Sequence, residues 1–276
     1  MEFALALILK VMTYAGVIAV AGSALHRYPA RAFAVQAWAG AALLWFAEPV
    51  RSWQFLSMLS GGDWSGWGFD LIWAELTGFG IGQSSLLRLL LAPIIALCLM
   101  LTRLHVIAVG AAFLLLATFL LEGHTVTAEL EGWNGWLAKA VLLMHMALVS
   151  WWLAVLLPLL WLIRRSEGAD LARSFGQQAL FAVPVLLVAG ALLFGLLTGW
   201  TIDLSQPYQR AFLFKIIGVA SLLTLGAYHK LRLVRRYEIE QPSAQEHFVR
   251  SLSLEIGIAL SVLLATAVAI TVGLEM

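Results

Sequence analysis

Apolar residues run along this chain in long, nearly continuous stretches separated by short polar breaks. A helix needs about 20 mostly apolar residues to cross a hydrocarbon core. Eight stretches meet that need: 3–25, 32–50, 84–102, 105–122, 137–163, 178–200, 209–232 and 251–273. None shows the two-residue alternation of a β-barrel strand. Backbone groups in lipid must be satisfied within their own segment, which selects α-helices. The pattern predicts an all-α fold, a polytopic transmembrane helical bundle of about eight spans forming one integral membrane domain over 1–276. Two connections depart from the short-loop pattern. Residues 51–83, rich in Trp, Gly and Asp and carrying Trp53, Trp64, Trp67 and Trp73, read as a segment on the membrane surface with a short amphipathic helix around 69–79. Residues 233–250 are polar and charged and read as a solvated connector.

A weak internal echo bears on domain organisation. Gly82 to Arg88 and Gln209 to Lys215 each step six residues into an apolar helix, at an offset of 127 residues. Four spans before and four after give a 4+4 parallel repeat, with half-repeats 1–125 and 135–276, about an axis along the membrane normal. The competing reading is that amphiphilic helix starts resemble one another by chance.

Composition agrees with the membrane reading: 62% of the 276 residues are hydrophobic and 12% charged, about half the charge of a soluble domain. The net charge of +1 gives no reason to expect nucleic acid as a partner. Cys98 is the single cysteine, which excludes an intrachain disulfide and a cysteine-based zinc site. The start, Met-Glu-Phe, has no basic n-region and Lys10 interrupts the apolar run, so the first segment reads as a retained span. Cleavage near Ala21-Gly22-Ser23-Ala24 is the alternative.

Loop charge sets the orientation. With the N-terminus outside, the inner loops hold Arg27, Arg31, Arg103, Arg164, Arg165, Arg173, Lys230, Arg232, Arg235, Arg236 and Arg250, which is 11 of the 17 basic residues. The outer loops hold Glu48, Asp63, Asp70, Glu75, Glu122, Glu129, Glu131 and Asp203. Eight spans then place both termini on the periplasmic side of a bacterial inner membrane.

A charged group within a span costs about 3 kcal/mol or more, so the few that occur are candidates for chemistry. They are Arg88, His145, Lys215 and Glu255. The bland reading for Arg88 and Lys215 is snorkelling to headgroups; for Glu255 it is pairing with Arg250 or another inner-face base. Histidine is too short to snorkel from the depth of His145, so it is expected to face the bundle interior. Trp152, seven residues on, lies on the same helix face. Imidazole is the commonest protein metal ligand, and thioethers beside it suit Cu(I). Met144 and Met146 flank His145, but consecutive helix residues point about 100° apart, so at most one assists. His124, after Glu122-Gly123, stands at the outer end of the fourth span, where a carboxylate and an imidazole would capture a cation. His26, His105 and His229 lie near the inner ends of their spans, as interfacial anchors or as an exit site. No phosphate loop, zinc-protease motif or nucleophile elbow is present, which disfavours an enzyme.

The stretch His145 to Pro158 resembles the His-x6-Trp-x-Gly-Gly span of the copper resistance protein D (CopD) family. Tyr208 to Lys215, followed by the basic end Tyr228-His229-Lys230-Leu231-Arg232, is similar to its Tyr-Gly-x5-Lys span. Gly123-His124, Gly82 to Arg88, and Arg250 to Glu255 resemble its Gly-His-Ala turn, Gly-x5-Arg start and Arg-x4-Glu opening. Ala154-Val155 replaces the Gly-Gly, and Gln209 replaces the Gly after the tyrosine. The resemblance implies an inner-membrane protein of copper uptake or tolerance, often working with a periplasmic copper-binding protein. It makes copper the expected cargo, with His124 receiving the ion, His145 and a neighbouring methionine binding it, and His229 or His26 releasing it. Two alternatives stand beside it. One is a b-type haem electron-transfer protein, in which Arg88 and Lys215 pair with haem propionates. The other is a non-catalytic assembly or scaffold protein.

Overall fold

The computed structural model describes residues 2–28, 30–61, 68–78, 80–122, 132–165, 167–202, 205, 207–229, 232 and 242–272. The described residues are helical, with no strand among them. In chain order the helices are α1 (Glu2–Ala24), α2 (Ala30–Leu59), α3 (Phe69–Gly78), α4 (Gly80–Met100), α5 (His105–Ala117), α6 (Gly132–Ile163), α7 (Ala169–Thr198), α8 (Pro207–Tyr228) and α9 (Pro242–Val272). Seven of them are long and apolar enough to cross a membrane. The chain is a multi-pass membrane protein.

The expected fourth span is shorter than the others. It is α5 tightened at its end into a 3₁₀ turn, Thr118–Leu121, to make one apolar rod over His105–Leu121. The second span is longer than expected. Glu48-Pro49 looks like a stop signal, yet α2 runs through Pro49 to Leu59. A proline removes one donor, and membrane helices tolerate that loss. Arg51 then pairs with Glu48 one turn back at 2.9 Å, which holds the helix across the proline. The surface helix expected around 69–79 is α3.

Helix α1 is the hub, packing on α2, α4, α5, α6 and α9. One apolar core lies between α1, α2, α4 and α5, with Val17, Leu44, Ile95 and Leu115 fully buried. A second joins α6 to α7, α8 and α9 through Val155, Leu186, Leu222 and Leu252, and takes in Phe33 of α2. Small residues allow the closest approach between the two. A Cβ built on Gly22 of α1 would lie 2.1 Å from the Ser150 carbonyl oxygen and 2.4 Å from Ala154 Cβ on α6. Without a hydrophobic drive between helices in lipid, such close packing is a main source of association.

Candidate functional site

Buried polar groups gather in two places, one near each end of the bundle. The first joins α1, α2, α4 and the end of α5. Arg88 and Glu48 are both fully buried and pair at 3.3 Å. Arg88 also pairs with Glu122 at 3.0 Å, and Arg51 with Glu122 at 2.9 Å. Thr13 and Ser85 donate to Glu48 at 2.8 and 2.6 Å, and Ser84 donates to Glu122. Arg88 Nε donates to Thr118 at 2.9 Å, and its guanidinium lies 4.7 Å from the Phe119 ring centroid. Arg88 therefore does not snorkel. Two carboxylates match two guanidiniums in charge, which is how four charges persist in a low-dielectric bundle; of their polar atoms, Arg88 Nη2 alone is buried without a hydrogen-bond partner.

The second group lies toward the other end. Glu255 accepts from Trp152 Nε1 at 3.4 Å and pairs with His229 Nδ1 at 3.0 Å. His229 Nε2 lies 2.7 Å from Ser251 Oγ, so both ring nitrogens are engaged. The base expected beside Glu255 is thus His229. His26 Nε2 meets the Trp151 carbonyl at 2.7 Å, and the ring stacks on Phe33 at 4.6 Å. Gln36 joins Ser23 and the Ala154 carbonyl.

His26 lies between α1 and α2, and burial lowers its pKa to about 4. Between pH 4 and 6.5 the folded chain then binds fewer protons than the unfolded one, so this contribution is full above pH 6.5 and is lost as pH falls toward 4. A thermal melt in detergent is expected to weaken over that window. His26→Gln, a neutral donor, is expected to flatten the pH dependence; an unchanged profile would show that His26 does not set it.

His145 stands between these groups, on α6. Its ring faces α7: a Cβ on Gly190 would lie 3.5 Å from His145 Cε1, and Nδ1 has no hydrogen-bond partner. Lys215 on α8 is its charged neighbour. The two methionines turn away from the imidazole, as helical geometry requires. Met144 is exposed at 39% and Met146 packs into the first core. Trp152 is buried on the expected face. His124 lies outside the described residues. Among the described residues no three His, Cys, Asp or Glu side chains come together as a metal-sized cluster. Among the described residues, His26, His145 and His229 are not gathered into one such cluster.

The segment from α7 to α9 holds Gly190, Lys215, His229 and Glu255, and it is the part that comparison identifies. Residues 169–269 match the family model of copper resistance protein D, CopD. No curated protein and no solved structure matches the chain. The CopD match begins at the first residue of α7 and ends three residues before the end of α9. His145 and Trp152 on α6 lie before it, yet their partners, Gly190 and Glu255, lie within it. The charged network around Arg88 lies wholly outside it.

Sequence reasoning did not find that network as a unit. Glu48 and Glu122 read from the sequence as outer-loop acids, and nothing in the sequence marks Arg51, Thr13 or Ser85 as their partners. The available signal was the coincidence of Glu48, Arg88 and Glu122 at the same end of three consecutive spans.

Proposed function

We propose that the chain is a copper-handling protein of the bacterial inner membrane, moving copper ions across it or accepting them from a periplasmic copper-binding protein, without catalysing a reaction. The CopD match carries this reading. His145 supports it: its Nδ1 meets no partner within hydrogen-bond geometry, although the ring approaches the Leu186 backbone, and a polar atom without a role within a span would be costly. We assign His145 as the copper contact within the bundle and His124 as the outer contact. His26 or His229 is the inner contact, which requires His229 to give up Glu255 or Ser251 or His26 to give up the Trp151 carbonyl, and a methionine beside His145 serves only if α6 rotates. The acid-rich loops face the periplasm in this reading, with both termini there. A bare Arg88 would repel a passing cation, and its pairing with Glu48 and Glu122 neutralises that charge. Lys215 has no carboxylate within ion-pair distance among the described residues, and we infer that its ammonium is directed away from the ion.

Metal analysis and an absorption spectrum of one purified, copper- and haem-supplied sample test the reading. The expected result is bound copper that His145→Ala lowers severalfold, with no Soret band. A Soret band of stoichiometric size, without copper, would replace it with the haem reading. Conservative swaps at His124 and His145 that leave copper binding unchanged would favour the scaffold reading.

A further inference from the structure

Two histidines compete for the inner copper contact, and their surroundings separate them. His229 directly follows α8. Ser251 and Glu255 lie four residues apart on one face of α9, and they bracket its ring. Nδ1 lies 3.0 Å from Glu255 Oε2, and Nε2 lies 2.7 Å from Ser251 Oγ. Glu255 is buried, and Trp152 of α6 donates to its other oxygen at 3.4 Å. Phe248, also buried, packs against the imidazole with ring centroids 5.2 Å apart. Three helices therefore fix the ring in place.

An ionised carboxylate only accepts hydrogen bonds, so in the neutral ring the proton sits on Nδ1. Nε2 then keeps its lone pair and accepts from the Ser251 hydroxyl. That is the tautomer a metal needs at Nε2. A carboxylate on the far nitrogen is also the usual device that orients a metal-binding imidazole and raises its basicity. Glu255 brings a negative charge as well, which a cation entering a buried site requires. His26 is arranged the other way. Its Nε2 donates to a carbonyl, that of Trp151 at 2.7 Å, and its ring stacks on Phe33 and Trp151. A carbonyl lends orientation without the negative charge.

One partner of His229 is free to leave and the other is not. Ser251 has a second acceptor in reach, the carbonyl one turn back on its own helix. Ser253, Ser261 and Thr266 of α9 already bond in that way, at 2.8 to 3.0 Å. Glu255 has no such substitute, because a buried carboxylate parted from its cation is strongly unfavourable. Ser251 is also partly exposed whereas Glu255 is buried, so an ion reaches the ring from the Nε2 side. We propose that His229 Nε2 is the inner copper donor, that Ser251 is the partner it exchanges for the ion, and that Glu255 is the positioning residue that holds the ring in its metal-binding tautomer. This assignment rests on the copper reading above.

The purified full-length chain, isotope-labelled at the histidine nitrogens, is titrated with Cu(I) in competition with a chromophoric chelator. The His229 nitrogens are read by NMR, which Cu(I) permits because it is diamagnetic. Before copper, Nδ1 is expected to carry the proton and Nε2 to lack one. Cu(I) is expected to shift Nε2 and to leave Nδ1 protonated. Ser251→Ala is expected to tighten Cu(I) at His229 by about 2- to 5-fold, since the ion no longer displaces a hydrogen bond. Glu255→Gln is expected to weaken it by about 10- to 100-fold. A purely structural pairing of Glu255 with His229 predicts no gain in affinity from Ser251→Ala. A ring protonated on Nε2 before copper overturns the proposal, and so does an Nε2 that ignores Cu(I). Ser251→Ala that leaves the affinity unchanged or lowers it overturns the exchange, and Glu255→Gln of wild-type affinity overturns the positioning role. If His145 responds to Cu(I) while His229 does not, the copper reading survives and this proposal falls; if neither responds, both fall. Should Glu255→Gln fail to fold, the wild-type spectra and Ser251→Ala, which removes one hydroxyl, decide.

Discussion

Arg88→Leu is expected to destabilise the folded bundle by about 3–5 kcal/mol, the usual cost of removing one partner from a buried ion pair. Glu48 is fully buried and would lose one of its two cations, and Glu122 would lose one as well. The Thr118 bond and the contact over Phe119 go with the same side chain. Folded yield and the melting temperature of detergent-purified protein measure the effect. The double variant Arg88→Leu, Glu48→Gln is expected to recover part of the loss, because it removes the charge left behind. Copper phenotypes of Arg88 variants are then to be read against folded amount, since α1, α2, α4 and α5 all meet at this network. An Arg88→Leu protein that melts like the wild type would show that water or headgroups reach the cluster.

Gly22→Val is expected to cost several kcal/mol, at or above the top of the usual 1–3 kcal/mol for overpacking. The new side chain meets the Ser150 carbonyl and Ala154 Cβ rather than the yielding end of a flexible side chain. Helix α1 must lift from α6, which opens the seam between the two cores and strips Gln36 from the Ala154 carbonyl. A paired change on the facing helix, Ala154→Gly, relieves only the Cβ contact and is expected to rescue weakly. Thermal melts of the two variants, side by side, report whether the backbone contact dominates.

Seven of the eight apolar stretches were legible as spans because hydrocarbon imposes one rule on each: about 20 apolar residues with internal hydrogen bonds; the fourth, His105–Leu121, is shorter. The short helix α3 was legible from its position between spans and from Trp73. What periodicity could not show was continuity through Pro49, because whether a proline ends a helix depends on what holds the next turn, and here Glu48 and Arg51 do. Arg88 was legible as costly, with Glu48, Glu122 and Asp203 as acids that could neutralise it, but not which of them reach it, since the two that do lie 40 residues earlier and 34 later. Glu255 illustrates the same limit. Its base is His229 on a neighbouring element rather than Arg250, one turn and a residue away on its own helix. His145 was legible as inward-facing because its side chain is too short to reach water. That it lies against a glycine, with Nδ1 unpartnered, required the packing of α6 on α7.

The most direct test of a copper role is cellular copper content, measured by elemental analysis in cells grown with copper at matched protein level. Three strains are compared: empty vector, wild type and His145→Ala. Expression of the wild-type chain is expected to shift copper content severalfold from the vector control, in whichever direction the protein works. His145→Ala, folded and present in equal amount, is expected to return it to the vector value. Copper content that is the same in all three strains would contradict the account.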